Sequence, residues 1–175
     1  AEYVGRDDYS DGAAMVEAGD NVVMTRTFSK IFGLGGMRLG WGYVPAGVAD
    51  VLNRVRGPFN VSAAAQAAGT AAVRDQAFTT RVRAHNDEWL PWTTAKLRDL
   101  GLSVTDSVGN FVLVCFQAFP EHGAEAADAF LKRDGIIVRR MAGYGLPDCL
   151  RITIGTADEM RAVVDSLARF LGRNA

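Results

Sequence analysis

An α/β fold in two lobes is the architecture this sequence predicts, and three observations carry the prediction. Strand-like and helix-like segments alternate along the chain. A long polar helical pattern over about 75–100 stands between two groups of such segments, as a connector between an earlier lobe, residues 1–85, and a later one, residues 86–175. The 175 residues are 49% hydrophobic and 22% charged, the balance of a globular chain able to bury a core.

Taken in order, residues 1–20 are polar and rich in Asp and Gly. The β-branched run Asn21-Val22-Val23-Met24-Thr25 predicts a buried strand, and a glycine-rich loop follows from Phe28 to Gly36. Leu39-Gly40-Trp41-Gly42-Tyr43-Val44 predicts a second strand. Pro45 suits a helix start, and Val48, Val51, Leu52 and Val55 recur at helical spacing until Gly57-Pro58 stops them. Ser62 opens an alanine-rich helix, and the polar helix of 75–100 carries Phe78, Val82, Trp89, Leu90 and Leu97 with a bend expected at Pro91.

Beyond Gly101 the order becomes strand, helix, strand, strand, helix. Asn110 to Phe116 is an apolar strand, Ala124 to Arg133 an amphipathic helix, and Gly135 to Arg139 a short strand. Cys149 to Gly155 alternates, which sets Leu150, Ile152 and Ile154 on one face and Arg151 and Thr153 on the other. In the last helix, Thr156 and Glu159 have capping-box spacing and Met160, Val163, Val164, Leu167 and Leu171 form one stripe.

Composition excludes several classes of function. Nineteen Lys+Arg against twenty Asp+Glu leave a formal charge of -1, without the basic excess that a phosphate backbone demands, so nucleic acid is not an expected partner. No apolar run approaches the roughly 20 residues that cross a bilayer, and the opening AEYVGRDDYSDG lacks the basic-then-apolar layout of a secretory signal. A cytoplasmic protein with no membrane partner is expected. Cys115 and Cys149 have no spacing that suits a metal site, and two reduced thiols are expected, one of them in a core strand. His85 and His122 lack a second ligand at helical spacing and are expected at the surface, so no metal is expected.

The chemistry concentrates in Thr25 to Gly40, where the hydroxyls of Thr27 and Ser29, the amine of Lys30 and the guanidinium of Arg38 meet a strand end and a glycine-rich turn. Hydroxyls, backbone N–H groups and an arginine are what a phosphate monoester needs. Lysine is scarce here, only Lys30, Lys96 and Lys132 among 19 basic residues, and Lys30 is followed by Ile31 and Phe32. Such neighbours predict a desolvated amine suited to Schiff-base chemistry. On spacing alone, a surface lysine beside a flexible loop is an equal reading.

The string Thr27-Phe28-Ser29-Lys30, with Gly33-Leu34-Gly35-Gly36-Met37-Arg38-Leu39-Gly40, resembles the active-site signature of the class I/II aminotransferases that use pyridoxal 5'-phosphate. The histidinol-phosphate subgroup is the nearest likeness. The resemblance extends in order to Pro58-Phe59-Asn60-Val61-Ser62, Gly109-Asn110-Phe111, Gly135 to Arg139, Gly143-Tyr144-Gly145-Leu146-Pro147 and Leu150 to Gly155. It implies the fold-type I transferase architecture, with the later part of the large domain over 1–85 and the small carboxy-terminal domain over 86–175. It further implies that Lys30 holds the cofactor and shuttles a proton, that Thr27, Ser29 and Arg38 bind the cofactor phosphate, and that Arg151 and Arg139 receive the acidic group of the substrate. For Arg139 and Arg140, a solvated pair at a strand end is the competing reading.

The family's chain is longer, and the resemblance covers only its later part. The aspartate that pairs with the pyridine nitrogen, the aromatic residue stacked on the ring and the first phosphate loop have no counterpart here; Asp7 and Asp8 follow the matching point and take no such role. The missing amino-terminal half of the same protein is therefore an implied partner, as is a second copy in a homodimer. The implied activity is transamination between histidinol phosphate, or a related aromatic donor, and 2-oxoglutarate. Two alternatives stay open: a decarboxylase of the same fold, and a non-catalytic aminotransferase-like sensing domain of a transcription regulator.

Overall fold

A computed structural model describes residues 1–173 and divides the chain into two compact units, Ala1–Arg83 and Ala84–Ala175. The division falls inside one helix.

In the first unit, α1 (Ala13–Ala18) precedes an antiparallel pair, β1 (Met24–Thr27) and β2 (Gly40–Tyr43), whose register sets Met24 opposite Tyr43 and Thr27 opposite Gly40. The strand expected over 21–25 thus begins three residues later and is not buried. Only Met24 is buried in β1, and Trp41 and Tyr43 of β2 are exposed, because the two strands pair with each other alone. Helix α1 lies in the polar opening segment, for which the sequence predicts no element. Helices α2 (Ala46–Val55) and α3 (Ala63–Arg74) follow, the latter started by Ser62, whose hydroxyl accepts from the Ala65 N–H at 3.1 Å. Gly69, buried in α3, leaves the room that the Leu39 side chain fills. Tyr3, Val16, Met24, Phe28, Ile31 and Ala65 are the buried apolar residues of this unit.

Helix α4 (Gln76–Asp99) runs continuously past Pro91. The second unit holds a four-stranded antiparallel sheet in the order β3 (Ser103–Thr105), β4 (Phe111–Cys115), β6 (Cys149–Thr153), β5 (Arg139–Arg140). The first of these strands was not expected, and the strand expected over 135–139 is reduced to two residues. One face of the sheet, Val112, Val114, Leu150 and Ile152, joins Leu97 of α4, Leu100 just past its end, and Ala127, Leu131, Val163, Val164 and Leu167 of helices α5 (Ala124–Arg133) and α6 (Ala157–Phe170) in one core. These core residues bury their apolar surface at about 25 cal/mol per Å².

Helix α6 opens on the expected capping box: the Thr156 N–H donates to Glu159 Oε2 at 2.7 Å and the Glu159 N–H to Thr156 Oγ1 at 3.4 Å. The bond from the Thr156 N–H foremost, and after it one that the Thr156 hydroxyl donates to Glu159 Oε2 at 3.0 Å, hold the Glu159 carboxyl below its ordinary range. Ser166 and then Arg169 of α6 do the same for Asp134 at the end of α5, which ties the two helices together.

Two expectations about side chains are corrected. Cys115 and Cys149 are not free thiols but a disulfide, because β4 and β6 pair in a register that sets these residues directly opposite. His85 is half-buried, and its Nε2 donates to the Gly155 carbonyl at 2.7 Å, while His122 lies edge-on to Phe170 with ring centroids 5.1 Å apart.

Candidate functional site

The loop from β1 to β2 is folded back on itself by its own backbone. The Phe28 N–H donates to the Leu39 carbonyl at 3.0 Å, the Leu34 N–H to that of Phe28 at 2.9 Å and the Gly33 N–H to that of Lys30 at 2.9 Å. Gly33 has φ +68°, a conformation that a side chain disfavours. At Gly40 a Cβ would stand 2.7 Å from the Arg26 carbonyl oxygen, so only glycine permits this approach of β2 to β1.

Within that loop the structure joins three residues singled out from the sequence. Thr27 Oγ1 accepts from the Ser29 N–H at 3.0 Å, and Ser29 Oγ accepts from Arg38 Nη1 at 3.5 Å. Arg38 itself is in the left-handed region at φ 50°, with Nη1 donating to the Gly35 carbonyl at 2.7 Å. From that strained backbone its guanidinium reaches the Ser29 hydroxyl. Lys30 is next in line and exposed; Ile31, 1% exposed, is turned into the core. The expectation that Ile31 desolvates the Lys30 amine is therefore corrected, since successive side chains in this bend face opposite ways.

The second unit carries a different constellation on the sheet face away from its core. Arg139 of β5 stands directly opposite Arg151 of β6, which in turn faces Leu113 of β4. Each guanidinium lies against an aromatic ring: that of Arg139 is 5.3 Å from the centroid of Tyr144, and that of Arg151 is 5.3 Å from the centroid of Phe111. Arg140, by contrast, is ion-paired to Glu125 at 2.6 Å, so Arg139 and Arg140 are not a matched solvated pair. Among the described residues, no carboxylate lies within ion-pair distance of Lys30, Arg38, Arg139 or Arg151, and the buried Nε of Arg151 has no hydrogen-bond partner. Like charges set opposite across a strand pair destabilise a sheet, and an anion bridging them reverses the sign.

Phe111 and Tyr144 were named from the sequence only within blocks of the resemblance and were given no role there. What marks them in the structure is position: two residues from the partner of Arg151 in one case, in a Gly-Tyr-Gly turn in the other. No group of three metal-ligating side chains is found among the described residues.

Residues 2–167 match the family described as aminotransferase class I and II. A histidinol-phosphate aminotransferase of Paramagnetospirillum magneticum is 58% identical over 171 residues, 98% of this chain and 47% of that protein. One of Rhodospirillum rubrum is 60% identical over 171 residues, 98% of this chain and 46% of the relative. The chain thus spans about half the length of the curated relatives it matches. Among solved structures, histidinol-phosphate aminotransferase from Sinorhizobium meliloti in complex with pyridoxal-5'-phosphate superposes with a TM-score of 0.87 at 28% identity, covering 98% of this chain and 46% of that one. With a match over nearly its whole length and a fold shared at that level, the chain belongs to the class I and II aminotransferases, proteins of the fold-type I architecture.

Proposed function

We propose that these residues form part of an enzyme that moves the amino group of histidinol phosphate to 2-oxoglutarate with pyridoxal 5'-phosphate, serving histidine biosynthesis. The observation that carries the reading is the 58–60% identity to proteins named histidinol-phosphate aminotransferase. On this reading 1–85 belongs to the large cofactor-binding domain and 86–175 is the small domain.

The residues present fit the cofactor at its phosphate end and at its amine. Thr27, Ser29 and Arg38 are already linked by hydrogen bonds, through the Ser29 N–H to the Thr27 hydroxyl and through the Arg38 guanidinium to the Ser29 hydroxyl, and among the described residues no carboxylate pairs with Arg38 to compete with a phosphate. When bound, pyridoxal phosphate supplies an aldehyde that links to amines and a ring that accepts the electron pair released at the substrate carbon. Lys30 Nζ is the amine that would hold it covalently, and the same amine would move the proton at the donor carbon. Arg151 and Arg139 receive the phosphate of the donor or the distal carboxylate of the acceptor, each of which offers oxygens to a guanidinium fork. The charge partner for the ring nitrogen and the aromatic residue that stacks on the ring fall to the other half of the relatives' length. A homodimer and a cytoplasmic location complete the proposal, as the resemblance implies.

Trapping the amine tests it. After incubation of the whole protein with pyridoxal phosphate and reduction by borohydride, peptide mapping is expected to find one pyridoxyl group, on Lys30. No adduct, or label spread over Lys96 and Lys132, would sink the assignment. Carbon dioxide released in place of glutamate would redirect it to a decarboxylase. Residues 1–175 alone are expected to bind the cofactor weakly and to turn over poorly.

A further inference from the structure

We propose that Tyr144 is a positioning residue that aims the Arg139 guanidinium at the substrate's anionic group, an inference that rests on the reading of Arg139 given above. The Arg139 Nη2 donates to Tyr144 Oη at 2.8 Å, and the same guanidinium lies 5.3 Å from the centroid of the Tyr144 ring. Two contacts of different kind, one at the hydroxyl and one at the ring, thus fix a side chain that otherwise has several free rotations.

The choice of partner matters chemically. A carboxylate in this place would neutralise Arg139 and compete with an incoming anion, as Glu125 does for Arg140 at 2.6 Å. A phenol accepts one hydrogen bond and leaves the positive charge and the remaining N–H donors of the fork unspent.

Tyr144 is itself anchored, although its side chain is 62% exposed. It ends a 3-10 turn, Ala142–Tyr144, closed by Gly145 in the left-handed region at φ +77°. The Tyr144 N–H donates to the Met141 carbonyl at 2.9 Å, the Leu146 N–H to the same oxygen at 3.2 Å, and the Met141 N–H to the Cys149 carbonyl at 3.2 Å. Cys149 is two residues before Arg151 on β6, so the turn that presents the phenol is hydrogen-bonded to the strand that presents the second guanidinium. Arg151 rests on Phe111, which has no hydroxyl, so Arg139 alone of the pair is hydrogen-bonded to its ring partner.

The test uses the whole protein and inorganic phosphate as competitor against the phosphorylated donor, with Y144F, Y144A and R139Q. R139Q is expected to raise the phosphate inhibition constant about tenfold or more, and Y144F about three- to tenfold, with the donor KM rising in parallel. Y144A, which loses the ring as well, should exceed Y144F. The losses are expected in KM and not in kcat, a split that general loss of folding would not produce. If R139Q raises the constant while Y144F and Y144A leave it at the parent value, the positioning role is overturned. If R139Q itself leaves it at the parent value, the anion-site reading fails first and this inference with it. Should Y144A melt early, the exposed and nearly isosteric Y144F decides alone.

Discussion

Lys30→Ala in the whole protein is expected to lower the rate of amino transfer about a thousandfold or more, with the donor still bound. The size follows from two losses in one side chain. On the proposed reading alanine has neither the amine that anchors the cofactor nor the base that moves the proton, and neither Lys96 nor Lys132 lies within sixty residues of Lys30 in sequence. Because Lys30 is exposed and Ile31 holds the local core, the substitution should leave the melting temperature nearly unchanged, which separates lost chemistry from lost fold. Stopped-flow measurement of the half-reaction with donor alone reads it; activity within about tenfold of the parent would remove Lys30 from the mechanism.

Leu167→Ala carries the largest expected effect on stability, about 2–5 kcal/mol. Leu167 is 0% exposed in the stripe of α6 and belongs to the core formed with Val112, Val114, Leu150 and Ile152. Truncation removes its packing and leaves a cavity that neighbours from three helices and a sheet cannot all collapse to fill. For a unit of this size each kcal/mol moves the melting temperature by about 4–8 °C, so a fall of 10 °C or more is expected in calorimetry. A fall under about 2 °C would mean that the stripe does not hold the unit together. Val108→Ala, at a side chain 49% exposed, is the comparison and should cost little.

What could be read from the sequence was local. Thr27, Ser29 and Arg38 lie within twelve positions, and the glycine pattern that lets them meet is written in the same stretch. The last helix was legible for the same reason, since its cap and its stripe are both matters of spacing. Alternation put Arg151 on the face away from Leu150 and Ile152, where it lies. That Arg139 stands opposite it was not legible, because cross-strand register depends on how β4, β6 and β5 pair. The Cys115–Cys149 disulfide escaped for that reason too: two isolated cysteines 34 residues apart give no sign that their strands will align them. Ser103–Thr105 is too short to show a period. Of the two readings kept open for Lys30, the desolvated amine took neighbours in sequence for neighbours in space, and the exposed lysine beside the loop is the one the structure has.

The cross-strand placement of Arg139 opposite Arg151 has a consequence for the free energy of the fold itself. Two like charges held side by side raise the energy of the native state and not that of the unfolded chain, where they drift apart. An anion that binds the pair only when it is assembled is then linked to folding, and at a hundredfold excess over its Kd it adds about 2.7 kcal/mol of stability. Melting curves in phosphate and in chloride at equal ionic strength therefore describe two ligation states of the same chain. Equal curves would mean that the pair captures no phosphate; a higher melting temperature in phosphate would make its filling part of what keeps the sheet closed.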